Sequence, residues 1–503
     1  MTRQQRLTLV ATILGSTVVF LDSTVVNVAL PPIAEGLDAG LAGQQWVVEA
    51  YMLTLVSLLL VGGSLGDQLG RRRMFVAGLV GFGACSVLCA VAPTVEFLIA
   101  ARALQGVAGA MLVPGSLAIV AATFEGAARG KAVGTWTAWT GIATVIGPAG
   151  GGALVGLTSW RAIFWINIPL IAGTVALTLH SVRESRDPDA FRGVDWFGIT
   201  LSAVGLGGPV FALIEQPTRG WGDPAVWIPL FVGIACFFLF VLHEARARHP
   251  MLDLGLFRIR NFAVTNLTTL STYAGLIGGL FFVGLFLQQV AGYSPLEAGL
   301  ATTPISLILF FLSPRWGKLA SGTGPRLPMT LGPIVGGIGL LLLLRVGSGA
   351  DYLADVLPGV LVFGLGLSAT VAPLTATVLD SVEERHVGIA SGVNNGVSRV
   401  AGLLSIAVLG AIVSARFAAL APGISGGPLT DAAASASTSA FHLGIAIAGA
   451  LMIAGGFVSA LGIENPRRKV EAFPTRGAAP AGECGHGVDA ESSAPEPVAT
   501  ELA

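Results

Sequence analysis

The chain has 503 residues, a net charge of −1, only 11% charged residues and a mean hydropathy of +0.78. A soluble domain carries about 25% charged residues, so this composition excludes a soluble globular protein. The balanced charge supplies no basic field for nucleic acid, and the 68 glycines suit close helix packing in a bilayer.

A membrane-spanning helix needs about 20 mostly apolar residues. Stretches of that kind lie near 8–30, 46–65, 74–93, 97–121, 132–156 and 160–181. Two more lie near 196–215 and 226–243, and six near 262–290, 296–313, 328–346, 354–377, 388–412 and 438–461. The expected fold is therefore an all-α integral membrane protein with fourteen spans. Arg3 and Arg6 precede the first run. That run is longer than the core of a signal peptide and contains Asp22, so it reads as a span rather than a removed leader.

Charge placement supports an even number of spans. Basic residues cluster after every second stretch, beginning with Arg71, Arg72 and Arg73, then Arg129 and Lys131, then Arg183, Arg186 and Arg192. All but six of the 28 Lys and Arg fall on one side in this reading, the exceptions being Arg102, Arg161, Arg219, Arg345, Arg399 and Arg416. Basic loops stay cytoplasmic, which places both termini there. The segment near 421–437 is small and polar and reads as a flexible external loop. The tail from about 470 has too few large apolar residues to pack and reads as disordered.

Cys85, Cys89, Cys236 and Cys484 form no disulfide framework. Of the six histidines only His442 falls within a span, with no acid or cysteine beside it, so no metal site is expected. No phosphate-binding loop appears, which argues against direct ATP drive. No nucleophile–base pair marks an enzyme.

One segment recurs. Gly63-Ser64-Leu65-Gly66-Asp67-Gln68-Leu69-Gly70-Arg71-Arg72 follows the second stretch, and Gly317–Arg326 follows the tenth with glycine, leucine, glycine and arginine in register. Two related six-helix halves separated by two extra helices explain the spacing. The boundaries are then 1–185 and 262–465 for the halves, 186–261 for the inserted pair, and 466–503 for the tail.

The first copy resembles the loop signature of the major facilitator superfamily. That resemblance makes Gly63, Gly66, Asp67, Gly70, Arg71 and Arg72 a gating loop. Its glycines permit a tight turn, and Asp67 pairs with a loop arginine or caps the next helix. Ser321 replaces the acid in the second copy, so a matching latch there is weaker. Arg102 with Gln105, Gly106 and Gly109 resembles the family's fourth-helix motif, which is linked to proton transfer. Gly147-Pro148-Ala149-Gly150-Gly151-Gly152 matches the antiporter signature. Leu21-Asp22-Ser23-Thr24-Val25-Val26-Asn27 resembles the first helix of the fourteen-span drug:proton antiporters, the EmrB/QacA type. The likeness continues in Trp160–Pro169, Asp195-Trp196, Leu287–Ser294 and Gly392–Asn395 with Arg399.

By this resemblance the chain is a secondary transporter of the inner (plasma) membrane. It exports amphipathic or cationic drugs or antibiotics in exchange for protons, and it needs no cofactor and no obligate protein partner. Asp22, Arg102 and Glu49 are the candidates for proton coupling or substrate binding. An acid within a span is expensive to insert, about 2.5–3.5 kcal/mol, and one that exchanges a proton as its surroundings hydrate suits antiport. Asn27, Gln105, Trp136, Gln288, Gln289, Asn394 and Asn395 are candidates for the cavity wall, and Trp139, Phe281, Phe282 and Phe286 for contact with a flat cation. Glu215 and Asp223 read as solvated. Fold alone does not fix cargo, so an endogenous metabolite, lipid or sugar is the alternative.

Overall fold

The computed structural model describes residues 1–124, 126–186, 195–247, 254–383, 387–422 and 431–465, with some side chains between 126 and 145, those of 387–389 and that of residue 60 left aside. The described residues are all helical or irregular. The first helices are α1 (Arg3–Leu37), α2 (Leu41–Leu69), α3 (Arg71–Ala90), α4 (Val95–Thr123) and α5 (Gly126–Leu157). The short α6 (Ala162–Trp165) leads into α7 (Asn167–Ser181). Then come α8 (Trp196–Arg219), α9 (Pro224–Arg246), α10 (Arg260–Gln289), α11 (Pro295–Thr323) and α12 (Arg326–Leu342). A π-helical turn, Tyr352–Val356, enters α13 (Leu357–Asp380), and α14 (Val387–Leu420) and α15 (Asp431–Gly462) complete the order.

Among the described residues twelve helices are long and apolar enough to cross a membrane, or thirteen when Leu41–Leu59 and Val61–Leu69 count as one bent span. Hydropathy led to an expectation of fourteen. The difference is the stretch 132–156, which lies in α5, where several side chains are outside the described set. The tail 466–503, and the basic positions Arg129, Lys131, Arg192, Arg248 and Arg385, also lie wholly or partly outside it.

Helix starts follow local chemistry. Thr2 with Gln5 and Ser294 with Glu297 form capping boxes that satisfy free N–H groups at the starts of α1 and α11. The expected external loop near 421–437 is corrected in part, because α15 begins at Asp431. The Ala-rich stretch after that acid favours helix, and Ala433 and Ala436 are buried.

Helices α8 and α9 pack unequally. Leu206, Val210 and Ile214 of α8 pack with Leu403 and Ala407 of α14 and with Trp46, Leu53 and Val56 of α2. Helix α9 shows only 11% of its apolar window buried, with Phe231, Phe237 and Phe238 exposed, as a lipid-facing helix would. Glu215, expected to be solvated, instead accepts the Trp46 indole N–H at 3.0 Å and pairs with Arg219 at 3.0 Å, tying α8 to α2. Asp223 lies 3.7 Å from the same Arg219.

The end of α1 that carries Arg3 and Arg6 is called here the basic end, and the opposite end the far end. At the far end α1–α7 meet α10–α15 closely. Gln289 of α10 donates to Gln44 of α2 at 3.2 Å, and Gln45 donates to the Ile406 carbonyl of α14 at 2.8 Å. One apolar cluster runs through both sets, from Val25, Ile33 and Val47 to Phe281, Phe286 and Leu409.

Candidate functional site

Asp22 sits on α1 and is the one acid in the apolar stretch 8–30. Its carboxylate is 2% exposed and forms an ion pair with Arg102 of α4. Gln105, one turn beyond Arg102, donates to Asp22 at 3.2 Å, and Asn167 at the start of α7 donates to it at 3.1 Å. Ser86 of α3 accepts from both amides, at 2.9 and 3.2 Å. The Arg102 guanidinium also donates to Gln105 at 2.7 Å and to the Val47 carbonyl at 3.1 Å, and lies 4.2 Å over the Tyr51 ring. Five helices thus supply one buried polar cluster. Sequence reading located Asp22, Arg102 and Gln105 but missed Asn167, Ser86 and Tyr51. Among these Asn167 alone lay in a motif already noted.

Asp22 is a partnered acid. Desolvating two charges is costly and is offset only by close pairing and further hydrogen bonds, which this cluster provides. Glu49 differs. It is completely buried on α2, and neither carboxylate oxygen finds a hydrogen bond among the described residues. No hydrogen bond joins it to the Asp22 cluster there.

The antiporter-type glycines lie on two seams. A Cβ on Gly147 would collide with Thr24, and one on Gly151 would lie 2.6 Å from Val25, both on α1. A Cβ on Gly152 would collide with the Pro295 carbonyl of α11, and Gly299 of α11 abuts the Pro148 carbonyl in the same way. Pro148 is inside α5, where it removes a helix hydrogen bond. These small residues bring α5 into backbone contact with both neighbours.

The gating-loop residues are mostly helical. Gly63, Gly66 and Asp67 are the last turns of α2, Arg71 begins α3, and Gly70 alone makes the turn with φ of 118°. Gly66 was expected in the turn and is not there. Asp67 pairs with Arg71 at 2.8 Å but does not cap α3. That role falls to Glu184, just beyond α7, which accepts the Arg72 backbone N–H at 3.0 Å. The second copy repeats the device. Gly324, φ 93°, makes the turn, and Asn465 just beyond α15 accepts the Arg326 N–H at 3.0 Å. The start of α3 is thus tied to the residues after α7, and the start of α12 to those after α15. Replacing Glu184 by alanine is expected to cost about 0.5–2 kcal/mol, as for a lost helix cap, and to slow transport. Thermal unfolding and initial export rates check this, and an unchanged melting temperature would contradict the cap.

The remaining candidates divide. Trp136 is packed and donates to Ser16 at 3.2 Å, while Trp139 is exposed. Phe281, Phe282 and Phe286 are buried, with Phe286 stacked on Phe441 at 4.1 Å. Asn27 donates to the Ser23 carbonyl and Gln288 to that of Gly284, each within its own helix. Asn394 cross-links α14 to Asn266 and Thr269 of α10 at 3.1 and 2.8 Å. Asn395 is exposed. Among the described residues no group of His, Cys, Asp and Glu is arranged to hold a metal.

The family model described as Major Facilitator Superfamily matches residues 12–406. The chain belongs to that superfamily. A multidrug resistance protein, Stp, of Mycobacterium tuberculosis is 36% identical over 420 residues, 83% of this chain and 78% of its own length. A tetracenomycin C resistance and export protein of Streptomyces glaucescens is 35% identical, covering 81% and 76%. The multidrug efflux pump LfrA of Mycolicibacterium smegmatis is 35% identical, covering 79% and 78%. The solved bacterial homologue of the lysosomal transporter Spinster has a TM-score of 0.66 at 15% identity, over 92% of this chain and 97% of that one. It shows the all-helical fold of the superfamily.

Proposed function

We propose that the chain is a secondary active exporter of amphipathic drugs or antibiotics, driven by inward proton movement through alternating access. The observation that carries this reading is the buried Asp22–Arg102 pair with its three amide and hydroxyl neighbours, since a titratable group inside a span marks a proton or substrate relay. Relatives named for multidrug resistance and for antibiotic export support the cargo class. The glycine seams of α5 support exchange between two faces. In this reading the protein crosses the plasma membrane fourteen times as two six-helix bundles, 1–185 and 262–465, with α8 and α9 between them. The basic end and both termini face the cytoplasm. With that orientation the far-end contacts support an outward-closed state, in which cargo enters from the basic end. Each charge moved inward gains about 2.3 kcal/mol per 100 mV of potential.

Substrate-dependent proton movement in inside-out vesicles tests this. Adding ethidium or another amphipathic drug to energised vesicles is expected to release protons from the lumen. No response to any compound in a broad panel would overturn drug export and favour a narrow endogenous cargo.

A further inference from the structure

We infer that Arg399 is a recognition site for an acidic group on the exported compound, a carboxylate or an ionised phenol. This deepens the export reading above and rests on it. Arg399 lies on α14, within the layer that hydropathy assigns to the membrane, and is half-buried. Among the described residues it makes no hydrogen bond and no ion pair. Its guanidinium reaches across to the other half, 5.9 Å from the ring centroid of Phe20 on α1. Phe20 is two residues from Asp22, about 200° around the helix, so the guanidinium meets a different face of α1 from the polar cluster and does not belong to it.

An arginine inside the hydrocarbon layer calls for a counter-charge. The described residues offer none here. Asp22 is already taken by Arg102. Glu49 is completely enclosed on α2, with no cation hydrogen-bonded to it. The counter-ion of Arg399 therefore arrives with the cargo. The surroundings fit an oxyanion. Ser391, Asn395 and Arg399 lie on one line of α14 at i, i+4 and i+8. Ser391, Asn394, Asn395 and Ser398 line a cavity of about 70 Å³ together with Tyr273 and Thr375. Val378 and Leu379 complete its walls, Arg399 stands one turn beyond Asn395 at its margin, and the cavity is small against the roughly 300–1,000 Å³ of a drug-sized site. It takes a head group, while the apolar body of the cargo lies against the aromatic face of Phe20. A guanidinium fork matches a carboxylate in two parallel hydrogen bonds. A purely cationic compound finds no free carboxylate among these groups. The favoured cargo is an amphipathic acid or zwitterion.

The test is binding of norfloxacin, which carries a free carboxylate, and of its methyl ester to the purified full-length chain, with ethidium-driven proton release measured on the wild type in parallel. The wild type is expected to bind the acid at least about tenfold more tightly than the ester. In Arg399→Gln that ratio falls to near one. In Arg399→Lys, which keeps the charge but loses the fork, it is intermediate. Melting curves establish that both variants fold. A wild type that releases protons with ethidium but binds acid and ester equally overturns the inference and leaves drug export standing. An Arg399→Gln chain that keeps the wild-type ratio overturns it as well. Acid preference lost in Arg399→Gln, in a chain that moves no protons with any drug, supports the site and removes the export reading.

Discussion

Replacing Asp22 by asparagine is expected to abolish drug-driven proton release and to lower the melting temperature of the protein. Asparagine keeps the shape of the side chain, but every partner of Asp22 donates to it: Arg102, Gln105 and Asn167. An amide there presents an NH₂ to donors and leaves the buried Arg102 guanidinium without its counter-charge. Removing one member of a buried pair costs about 3–5 kcal/mol. Loss of transport in the single variant thus has two possible sources, lost proton chemistry and a weakened bundle. The double variant Asp22→Asn with Arg102→Gln separates them. Replacing both charges removes the unpaired guanidinium, so thermal stability is expected to recover most of the way. Proton release is expected to stay absent, because no carboxylate remains in the cluster. Recovery of both would show the pair to be structural and would move the coupling step to Glu49, another enclosed acid. The readouts are melting curves and vesicle proton release, taken on the same preparations.

How much of this arrangement was legible depended on contrast. Asp22 and Arg102 stand out because a charge in an apolar run is costly and rare. Gln105 is visible through its place one turn after Arg102. Ser86 and Asn167 carry no such mark, since neutral polar residues are tolerated in many membrane helices; Asn167 lies 145 residues from Asp22, and Ser86 lies 19 and 81 residues from the Gln105 and Asn167 amides that donate to it. Glu184 is hidden for a different reason. It sits in a charged linker, Arg183-Glu184-Ser185-Arg186, where one more acid is unremarkable, and only the left-handed turn at Gly70 shows which helix start it serves. The aromatic candidates were ambiguous from the outset, because cargo contact and core packing favour the same residue types. Packing decides for Phe281, Phe282 and Phe286. The glycines of α5 announced close approach but not its partners, and the two partners, α1 and α11, are distant in sequence.

Those partners set up the second large effect. Substituting leucine for Gly152 is expected to open the far end and to depress export. A Cβ there would meet the Pro295 carbonyl and would lie 2.9 Å from the Leu296 Cα, and backbone atoms cannot rotate aside as a side chain can. Gly299 makes the reciprocal approach to Pro148, so α5 and α11 are in contact through backbone on both sides. Overpacking of this kind costs about 1–3 kcal/mol. The cost falls on the state in which the two helices touch, so the balance shifts toward the state in which they part, by roughly 5- to 150-fold. A cysteine at Gln44 reports the change. Gln44 is buried at the far end, hydrogen-bonded to Gln289 across the same seam. In a chain with its four native cysteines replaced, a membrane-impermeant maleimide added from the proposed outer face is expected to label Gln44→Cys slowly. With Gly152→Leu also present, labelling accelerates by a factor of that order. Gly134→Ala is the control, because a Cβ at Gly134 meets nothing within 4 Å. It should leave labelling unchanged. Equal labelling with and without Gly152→Leu would mean that the contact of α5 with α11 is packing alone, and that the closure of the far end is held by Gln45 and its neighbours on α14 instead.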